Sequence, residues 1–594
     1  MKEALISLIL PLTVLCPLVL AVAMAPNAAR STVARLAPWV PLPALLLAVL
    51  APSNLSLSLP WLLLGTRLAL VNDTARLFLL FTALLWLLSG IYARAYFSGQ
   101  QGIHRFFVYF LLSMTGNIGL ILAQDLTSFY LFFTLMSFAS YGLVVHERSS
   151  LSLHAGRIYI ILVVIGEVAL FSALVLATTA TKSTEFHLVR QGLAQAESRD
   201  LIMLLALIGF GIKAGVLGLH MWLPLAHPVA PTPASAVLSG AMIKAGLLGW
   251  LQLLPLGEVM LLQWGEAYIT LGLAAAFYGV LVGLTQRDPK TLLAYSSISQ
   301  MGILTMAVGL GLMSPAAYPV ILPVITLYAL HHGLSKGALF LGVGVIRACS
   351  GAKRRRVWLA MWLPALALAG APLTSGMAAK FLLKAQIGNA PDTWVLVLQT
   401  LLPASGVATA LLVGRCLILL HQPRTGDSGN HSARGLVWPW ALLVTAVAVL
   451  PWWFVPETPE RWIHAAFTAS LWPVLLGAVL AIAAVGWRAR LVRSRERVDG
   501  QLSTRYLMPQ IPPGDILVPM SRWMTPALTH VCRLAEERLP TRREVLLSSL
   551  KKTWSNMHWQ GLLATIESSL SHWPTALVIL VLLGLLAAAL AIIA

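Results

Sequence analysis

Long apolar runs, each of about 20 residues, recur along almost the whole chain and are separated by short polar segments. An α-helix of this length crosses the roughly 30 Å hydrocarbon core of a bilayer. The pattern predicts about sixteen spans, near residues 3–24, 36–51, 73–96, 104–123, 125–146, 156–180, 200–221, 234–255, 267–286, 291–313, 318–346, 357–389, 392–421, 436–455, 470–490 and 573–594. The predicted fold class is an all-α polytopic membrane protein.

Composition agrees with this pattern and excludes a soluble core. Of the 594 residues, 58% are hydrophobic and only 11% are charged. The first apolar run follows Lys2, and no small-residue cleavage site follows it convincingly. We therefore expect a retained span and not a removed signal peptide.

Cofactor motifs are missing from the sequence. The four cysteines, Cys16, Cys349, Cys416 and Cys532, have neither CxxC nor CxH spacing, so no iron–sulfur or zinc site is predicted. There is also no glycine-rich nucleotide loop. We expect the chain to hold no cofactor or metal, to have no catalytic residues, and to leave any redox chemistry to partner subunits.

The basic residues that give the chain its formal charge of +19 lie mainly in the loops. Basic residues gather in alternate loops, at Arg287 and Lys290, at Arg347 and 353–356, at Arg424 and Arg434, and between Arg488 and Arg497. The intervening loops, such as the one with Glu258 and Glu266, have almost none. By the positive-inside rule, the basic loops are predicted to be cytoplasmic and the N-terminus periplasmic, in a bacterial-type inner membrane. The charge thus indicates topology and phospholipid contact, and no nucleic-acid partner is expected.

Two predicted helices are interrupted near a buried lysine. The seventh contains Lys213 and the twelfth contains Lys380. The interrupting residues are Pro224 and Pro228 after Lys213, and Gly370, Pro372 and Gly376 before Lys380. Because unwound backbone within a membrane is tolerated only where it is buried or lines a polar cavity, such pairs indicate inverted-repeat transport folds. The two lysines lie five helices apart, which predicts two inverted five-helix repeats.

This reading gives the following domain organisation. Three N-terminal helices (1–103) precede the repeats (104–255 and 267–421), and two further helices (436–490), a cytoplasmic linker with an amphipathic surface helix (491–572) and a C-terminal anchor (573–594) follow them. The amphipathic helix is inferred from apolar residues at helical spacing and from Trp554, Trp559 and Trp573. A solvated linker is the alternative for 491–572.

A lysine at membrane depth is costly, by about 3 kcal/mol on insertion scales, and persists where a partner or water solvates it. Lys213 and Lys380 are therefore candidate proton-relay sites. The alternative is a structural role, in which each ammonium caps carbonyls that the helix breaks have freed.

Four ordered segments carry a family resemblance. They are GIKAGVLGLHMWLPLAHPVAPTPASAVLSGAMIKAG (211–246), DPKTLLAYSSISQMG (288–302), HHGLSKGALFLGVG (331–344) and AGAPLTSGMAAKFLLKA (369–385). Over roughly 70–420 the chain resembles the antiporter-like subunits of complex I, of multisubunit sodium/proton antiporters and of hydrogenase-4 and formate hydrogenlyase. The resemblance implies a core of about fourteen helices in two inverted repeats, each with a half-channel.

The resemblance also implies a proton pathway through buried basic residues. The matching positions are Lys213 in the seventh helix, Lys244 in the eighth, His332 and Lys336 in the eleventh, and Lys380 in the twelfth. Burial lowers the proton affinity of lysine, and histidine titrates near neutrality, so both residue types suit proton transfer. A static polar network is the alternative for Lys244, His332 and Lys336.

One departure from the family concerns a carboxylate. Family members usually carry a glutamate in the fifth helix, six residues before a Ser-Tyr pair, as the partner of the seventh-helix lysine. Here that position is Thr134, before Ser140 and Tyr141. Glu167 on the sixth helix lies at a similar depth and is the candidate replacement. If it fails as a replacement, the first half-channel is impaired.

Other polar residues have two readings each. The candidates to hold water in the second half-channel are Tyr295, Ser296, Ser297, Ser299 and Gln300, which could equally be interhelical hydrogen-bond donors. His220, His227 and His331 are expected to be structural. Asp288 and Lys290 open the tenth helix, where a solvated pair or an N-cap is favoured over a gate.

The sequence thus predicts a proton-translocating membrane subunit, with sodium exchange open, in a complex with other membrane subunits. The first alternative is a proton-conducting partner of an energy-coupled inorganic-carbon uptake complex with a separate zinc-bearing subunit. The second is a non-conducting scaffold.

Overall fold

The computed structural model describes residues 2–51, 55–59, 65–100, 102–422, 433–455, 462–499 and 511–516. The chain divides into two units, Met1–Ile511 and Pro512–Ala594. The predicted anchor at 573–594 and the predicted amphipathic helix lie outside the described residues.

The N-terminal part of the chain contains eight helices and a hairpin. These are α1 (Lys2–Ala23), α2 (Asn27–Leu36), α3 (Leu42–Leu50), β1 (Leu55–Leu59), β2 (Thr66–Leu70), α4 (Asp73–Tyr96), α5 (Ile103–Leu122), α6 (Leu126–Val144), α7 (Ser150–Thr181) and α8 (Phe186–Leu193). The antiparallel hairpin pairs Leu55 with Leu70 and Leu59 with Thr66. It is an addition to the helical class that the apolar runs did not predict.

The following part of the first unit is helical. It contains α9 (Arg199–Ala214), α10 (Trp222–Val229), α11 (Thr232–Val237), α12 (Lys244–Leu253), α13 (Leu262–Thr285), α14 (Pro289–Met313), α15 (Tyr318–Ala348), α16 (Gly351–Ala360), α17 (Trp362–Ala369), α18 (Ser375–Ala385), α19 (Asp392–His421), α20 (Ala433–Val449) and α21 (Trp462–Asp499). A π-helical turn, Leu238–Met242, joins α11 to α12.

Twelve helical stretches among the described residues are long and apolar enough to cross a membrane, which confirms a helical multi-pass membrane protein. Of the sixteen predicted spans, α1 contributes only a shorter apolar stretch, Ile9–Ala23. The interrupted seventh and twelfth helices are each split into pieces below spanning length. The sixteenth span is the anchor outside the described residues.

The seventh helix breaks earlier than its prolines indicated. Gly215, with φ of 76°, caps α9, and seven residues separate α9 from α10. Pro224 and Pro228 lie inside α10 instead of at the break. Pro224 is tolerated because the first turn of a helix has backbone N–H groups without helical acceptors, so a missing N–H costs little there.

The twelfth helix breaks where its glycine predicted. Gly370, with φ of 82°, caps α17, and α18 begins at Ser375. The positive φ suits glycine, which has no Cβ to clash. Lys213 lies just before the first break, whereas Lys380 lies beyond the second. The repeats at 104–255 and 267–421 remain a prediction.

Close packing of α13 on α14 fixes the centre of the fold. A Cβ at Gly272 would stand 2.5 Å from the carbonyl oxygen of Gly302. Only glycine permits this approach of two backbones, a device common at helix interfaces in membranes. α14 is buried along its entire length, and beside it α15 also packs against α4, α11, α17, α18 and α20. These two helices carry most of the candidate site.

Candidate functional site

Lys213 lies buried in the last turn of α9, against aromatic groups. Its Nζ donates to the hydroxyl of Tyr159 at 3.3 Å, and that hydroxyl donates to the carbonyl of Ser137 at 2.8 Å. The ammonium also lies 6.0 Å from the ring centroid of Trp222, within cation–π range. The indole of Trp222 donates to Ile212 O at 2.7 Å, so tryptophan and not lysine satisfies that carbonyl of the broken helix.

Glu167 of α7 is brought to the position that Thr134 occupies on α6. The hydroxyl of Thr134 donates to Oε2 of Glu167 at 2.6 Å, and the glutamate is 6% exposed. Its carboxylate therefore stands within hydrogen-bond distance of the side chain that replaces the family's glutamate. Among the described residues, the ammonium of Lys213 bonds to tyrosine and not to this carboxylate, although the two charges interact across the gap.

Lys244 is buried beside the π-helical turn. Within Leu238–Met242 the backbone N–H of Ile243 donates to Leu238 O at 3.2 Å, one residue further back than in an α-helix. The carbonyl of Ser239 thus loses its usual backbone donor, and Nζ of Lys244 donates to it at 2.7 Å. π-turns are frequent at functional sites, and this one places a buried ammonium on a freed carbonyl.

Hydrogen bonds connect Lys244 to Lys336, with one step made along Ser239 itself, because Lys244 bonds its carbonyl and Ser297 bonds its hydroxyl. The hydroxyl of Ser239 lies 2.6 Å from that of Ser297 on α14. Ser297 donates to Leu293 O at 3.0 Å, and Nζ of Lys336 on α15 donates to the same carbonyl at 2.8 Å. The lysines of the eighth and eleventh helices are therefore joined through two serines and two backbone carbonyls.

His332 and His331 lie on α15 near Lys336 but are not hydrogen-bonded to this set of residues. His332 lies one helical turn before Lys336 and is fully buried, and neither ring nitrogen has a hydrogen-bond partner among the described residues. His331 Nδ1 lies 2.8 Å from the hydroxyl of Ser375, the first residue of α18. Buried polar atoms normally have hydrogen-bond partners. The two ring nitrogens of His332 are therefore free to form new hydrogen bonds.

Lys380 lies on α18 beyond the break. Its Nζ donates to Ala369 O, the last carbonyl of α17, at 2.9 Å. Lys380 and Tyr328 line a cavity of about 30 Å³, enough for one or two water molecules. Tyr328 donates to Oε1 of Gln300 at 2.8 Å, and Gln300 donates to Thr409 at 3.2 Å. In contrast to Lys213, Lys380 does cap a carbonyl that a helix break has freed.

The five residues predicted to hold water are all buried but differ in their partners. Ser299 donates to Ala276 O at 2.7 Å and so joins α14 to α13. Ser296 has no hydrogen-bond partner among the described residues. Tyr295 is fully buried and does have an interaction partner. The other two lie on the hydrogen-bonded routes already described. The structure therefore separates Ser299, which joins two helices, from Ser297, which shares a carbonyl with Lys336.

At the start of α14 the predicted N-cap is confirmed for Asp288, whereas Lys290 is buried and is not part of a solvated pair. Asp288 is the N-cap, accepting from Thr291 N at 3.0 Å, and it pairs with Arg347 at 3.3 Å. Lys290, by contrast, is only 4% exposed and donates to Ala230 O at 2.6 Å. Lys290 reaches inward because that carbonyl, at the end of α10, has lost its helical donor.

Two histidines near the first break differ in kind. His220 Nδ1 accepts from the backbone N–H of Gly218 at 3.3 Å, as a structural role requires. His227 is fully buried and stacks on Phe340 at 4.6 Å, and neither of its ring nitrogens is paired among the described residues. Sequence reasoning treated it as structural and missed it as a candidate. The available signal was its place near the end of a helix, and it lies in the last turn of α10.

Buried basic residues on broken, mutually packed helices are the arrangement that the family resemblance implied. Residues 123–403 match the family described as NADH:quinone oxidoreductase/Mrp antiporter, TM. The resemblance predicted from the four segments is thus confirmed over this part of the chain.

Among curated relatives, hydrogenase-4 component B of Escherichia coli (strain K12) is 33% identical over 294 residues, which cover 46% of this chain and 43% of the relative. The Na(+)/H(+) antiporter subunit A1 of Staphylococcus saprophyticus is 29% identical over 275 residues, covering 44% and 34%. A chain of the Mrp complex from Dietzia sp. DQ12-45-1b has the same fold, with a TM-score of 0.69 and 22% identity over 94% of this chain and 63% of that one. The chain spans less than half the length of these curated relatives.

Proposed function

We propose that this chain is a proton-translocating membrane subunit of a multisubunit ion-pumping complex in a bacterial-type inner membrane. The observation that carries the proposal is the hydrogen-bonded route from Lys244 to Lys336. A scaffold would have no need of two buried ammonium groups joined by hydroxyls, because each buried lysine costs several kcal/mol. The named relatives, a hydrogenase component and an antiporter subunit, support the same class.

The proposed route runs from Lys213 through Lys244 and Lys336 to Lys380. A hydroxyl can accept one proton while it donates another, so Ser239 and Ser297 can relay protons. The carbonyl of Leu293 only accepts hydrogen bonds. Transfer between Ser297 and Lys336 therefore requires these two groups, which share that carbonyl, to approach each other. Transfer from Lys244 likewise requires its Nζ to move from the carbonyl of Ser239 to the hydroxyl of the same residue.

Glu167 is the proposed switch of the first half. In the present arrangement its carboxylate is bonded to Thr134, while Lys213 is held by a tyrosine. Direct pairing of Glu167 with Lys213 would stabilise the ammonium, and separation would favour release of its proton. Two arrangements that differ in proton affinity are what coupling to a neighbouring subunit needs.

We also propose that the N-terminus is periplasmic and the basic loops are cytoplasmic. The Asp288–Arg347 pair supports this topology, because it joins the start of α14 to the end of α15, where two of the basic loops lie. The exposed basic residues of 353–356 follow directly on that side. Accessibility of single cysteines at positions 258 and 353 to an impermeant reagent would test the assignment.

The function can be tested with Lys336→Met in vesicles that contain the assembled complex. The change removes the charge but keeps Leu293 O bonded to Ser297, so the fold should survive. We expect proton translocation to fall roughly 100-fold or more, as for loss of a proton-transfer group. Arg94→Gln, a change of an exposed residue, is the control. Full translocation in Lys336→Met with normal subunit stoichiometry would favour the scaffold.

A further inference from the structure

An apolar crevice lies between α16–α17, α19 and α21. Its volume is about 320 Å³, in the range of ligand pockets. Every lining residue is apolar, with Trp358 and Trp362 on one wall, Gly414 on the second and Ala478 on the third. The occupant must therefore be a hydrocarbon group over the length of the crevice.

The crevice is about as long as one leaflet of a bilayer is thick. Its first wall extends from Trp358 in α16 to Ala369 at the end of α17, twelve residues whose helical rise is roughly 16 Å. Half of the hydrocarbon core of a membrane is about 15 Å thick. One extended acyl chain matches this length, whereas a folded globular partner does not.

A cluster of cations lies at the end of the crevice nearest Trp358. Lys353, Arg355 and Arg356 are exposed at the start of α16, and Arg355 precedes Trp358 by three residues, on the same helix face. Arg354 is committed to the fold, because it donates to Leu420 O and Gln422 O at 3.1 Å each. The three exposed cations can therefore hold an anionic head group where the apolar wall begins.

We propose that this crevice is a binding site for one anionic phospholipid. Its acyl chain lies along Trp358, Trp362 and Ala369, and its phosphate pairs with Arg355 and Arg356. The inner end of the crevice reaches Ala369, whose carbonyl accepts the hydrogen bond of Lys380. The lipid would thus cover the membrane-facing side of the break in the twelfth helix. This inference does not depend on the proposed transport function.

Native mass spectrometry of the full chain, purified in mild detergent, tests the site. The protein is equilibrated with equal amounts of phosphatidylglycerol and phosphatidylcholine. We expect phosphatidylglycerol to be retained roughly 30-fold better or more, in line with the attraction of two or three basic side chains to an anionic lipid. The double variant Arg355→Gln/Arg356→Gln should lose most of that preference. The matched control Arg94→Gln/Lys182→Gln removes two exposed cations elsewhere and should keep it.

Filling the crevice tests the acyl-chain part separately. A Cβ at Gly414 would meet only the Cβ of Ala481, at 3.9 Å, so Gly414→Leu can enter the crevice without a backbone clash. Ala478→Leu fills it from the opposite wall, from an exposed position. We expect either change to reduce the retained phosphatidylglycerol at least several-fold.

Three results would overturn the site. They are an unchanged lipid preference in the arginine double variant, unchanged lipid retention in both filled variants, and cross-linking of a cysteine at position 478 to a protein subunit instead of lipid.

Discussion

The two broken helices hold their lysines in opposite ways. Lys213 lies before its break and rests on Tyr159 and Trp222, and the carbonyl of Ile212 is satisfied without it. Lys380 lies after its break and is bonded to a carbonyl that the break frees. The first ammonium can leave its partners without exposing a buried polar group, whereas the second cannot. We infer that the first break is built for a movable charge and the second for a fixed one.

The buried lysines between the two breaks are held as Lys380 is, by backbone carbonyls, and not as Lys213 is. Lys244 is bonded to a carbonyl freed by the π-turn, and Lys290 to the carbonyl of Ala230. A capped lysine can still exchange a proton, because a neutral amine keeps two N–H donors for the carbonyl. Structural capping and proton transfer are therefore compatible in one residue.

Among the changes that compare the two breaks, the largest effect on translocation is expected from Glu167→Gln. If Glu167 supplies the carboxylate that Thr134 lacks, its loss removes the charge that Lys213 responds to. We expect translocation to fall roughly 10-fold or more, since an opposite charge nearby shifts a proton equilibrium by one to three pKa units. Proton uptake by vesicles containing the complex measures it. Unchanged uptake would remove Glu167 from the route.

A carboxylate returned to the fifth helix should rescue that loss. The double variant Thr134→Glu/Glu167→Gln places the charge at the family's position, where the two side chains already lie 2.6 Å apart. We expect most of the translocation to return. Thr134→Gln/Glu167→Gln, of equal size but without charge, is the control and should stay inactive. Equal activity of the two double variants would show that charge is not what matters.

The next-largest effect concerns the free energy of unfolding, which should differ between variants of the two lysines. Lys380→Met leaves Ala369 O unsatisfied and should lower the free energy of unfolding by about 1–3 kcal/mol. Lys213→Met removes no carbonyl donor and relieves a buried charge, so it should be nearly neutral or stabilising. Thermal unfolding of both variants in the same detergent compares them. The reverse order would contradict the assignment of fixed and movable charges.

The smallest predicted effect distinguishes two neighbouring serines. Ser297→Ala interrupts the route between Lys244 and Lys336 and should slow translocation a few-fold. Ser299→Ala removes only a hydrogen bond between α14 and α13, so it should cost about 1 kcal/mol of stability without slowing translocation. Equal transport rates in the two variants would place the route elsewhere.

The helical multi-pass fold and the family resemblance could be predicted from the sequence, because spanning length and motif order are local properties. The start of the first break could not be predicted, because the sequence-based prediction assigned it to prolines, whereas Gly215 caps the helix in the structure. A proline near a helix start is compatible with the helix, so its presence does not locate a break.

Burial was the property of the site that local patterns missed. Lys290 looked solvated because it follows Asp288 at a predicted helix start, yet tertiary packing draws it onto Ala230. The π-turn before Lys244 was equally hidden, because the apolar run there continues without interruption. The contact of Glu167 with Thr134 could have been predicted from the sequence, since both residues had been assigned a similar depth in the membrane.

Proton translocation by Lys213→Met and by Lys380→Met, measured in vesicles alongside the stoichiometry of co-purified subunits, tests the central claim most directly. Our account predicts that both variants assemble normally and that each loses translocation, although only Lys380→Met loses stability. Full translocation in either assembled variant would contradict a route through both breaks, and full translocation in both would make the chain a scaffold.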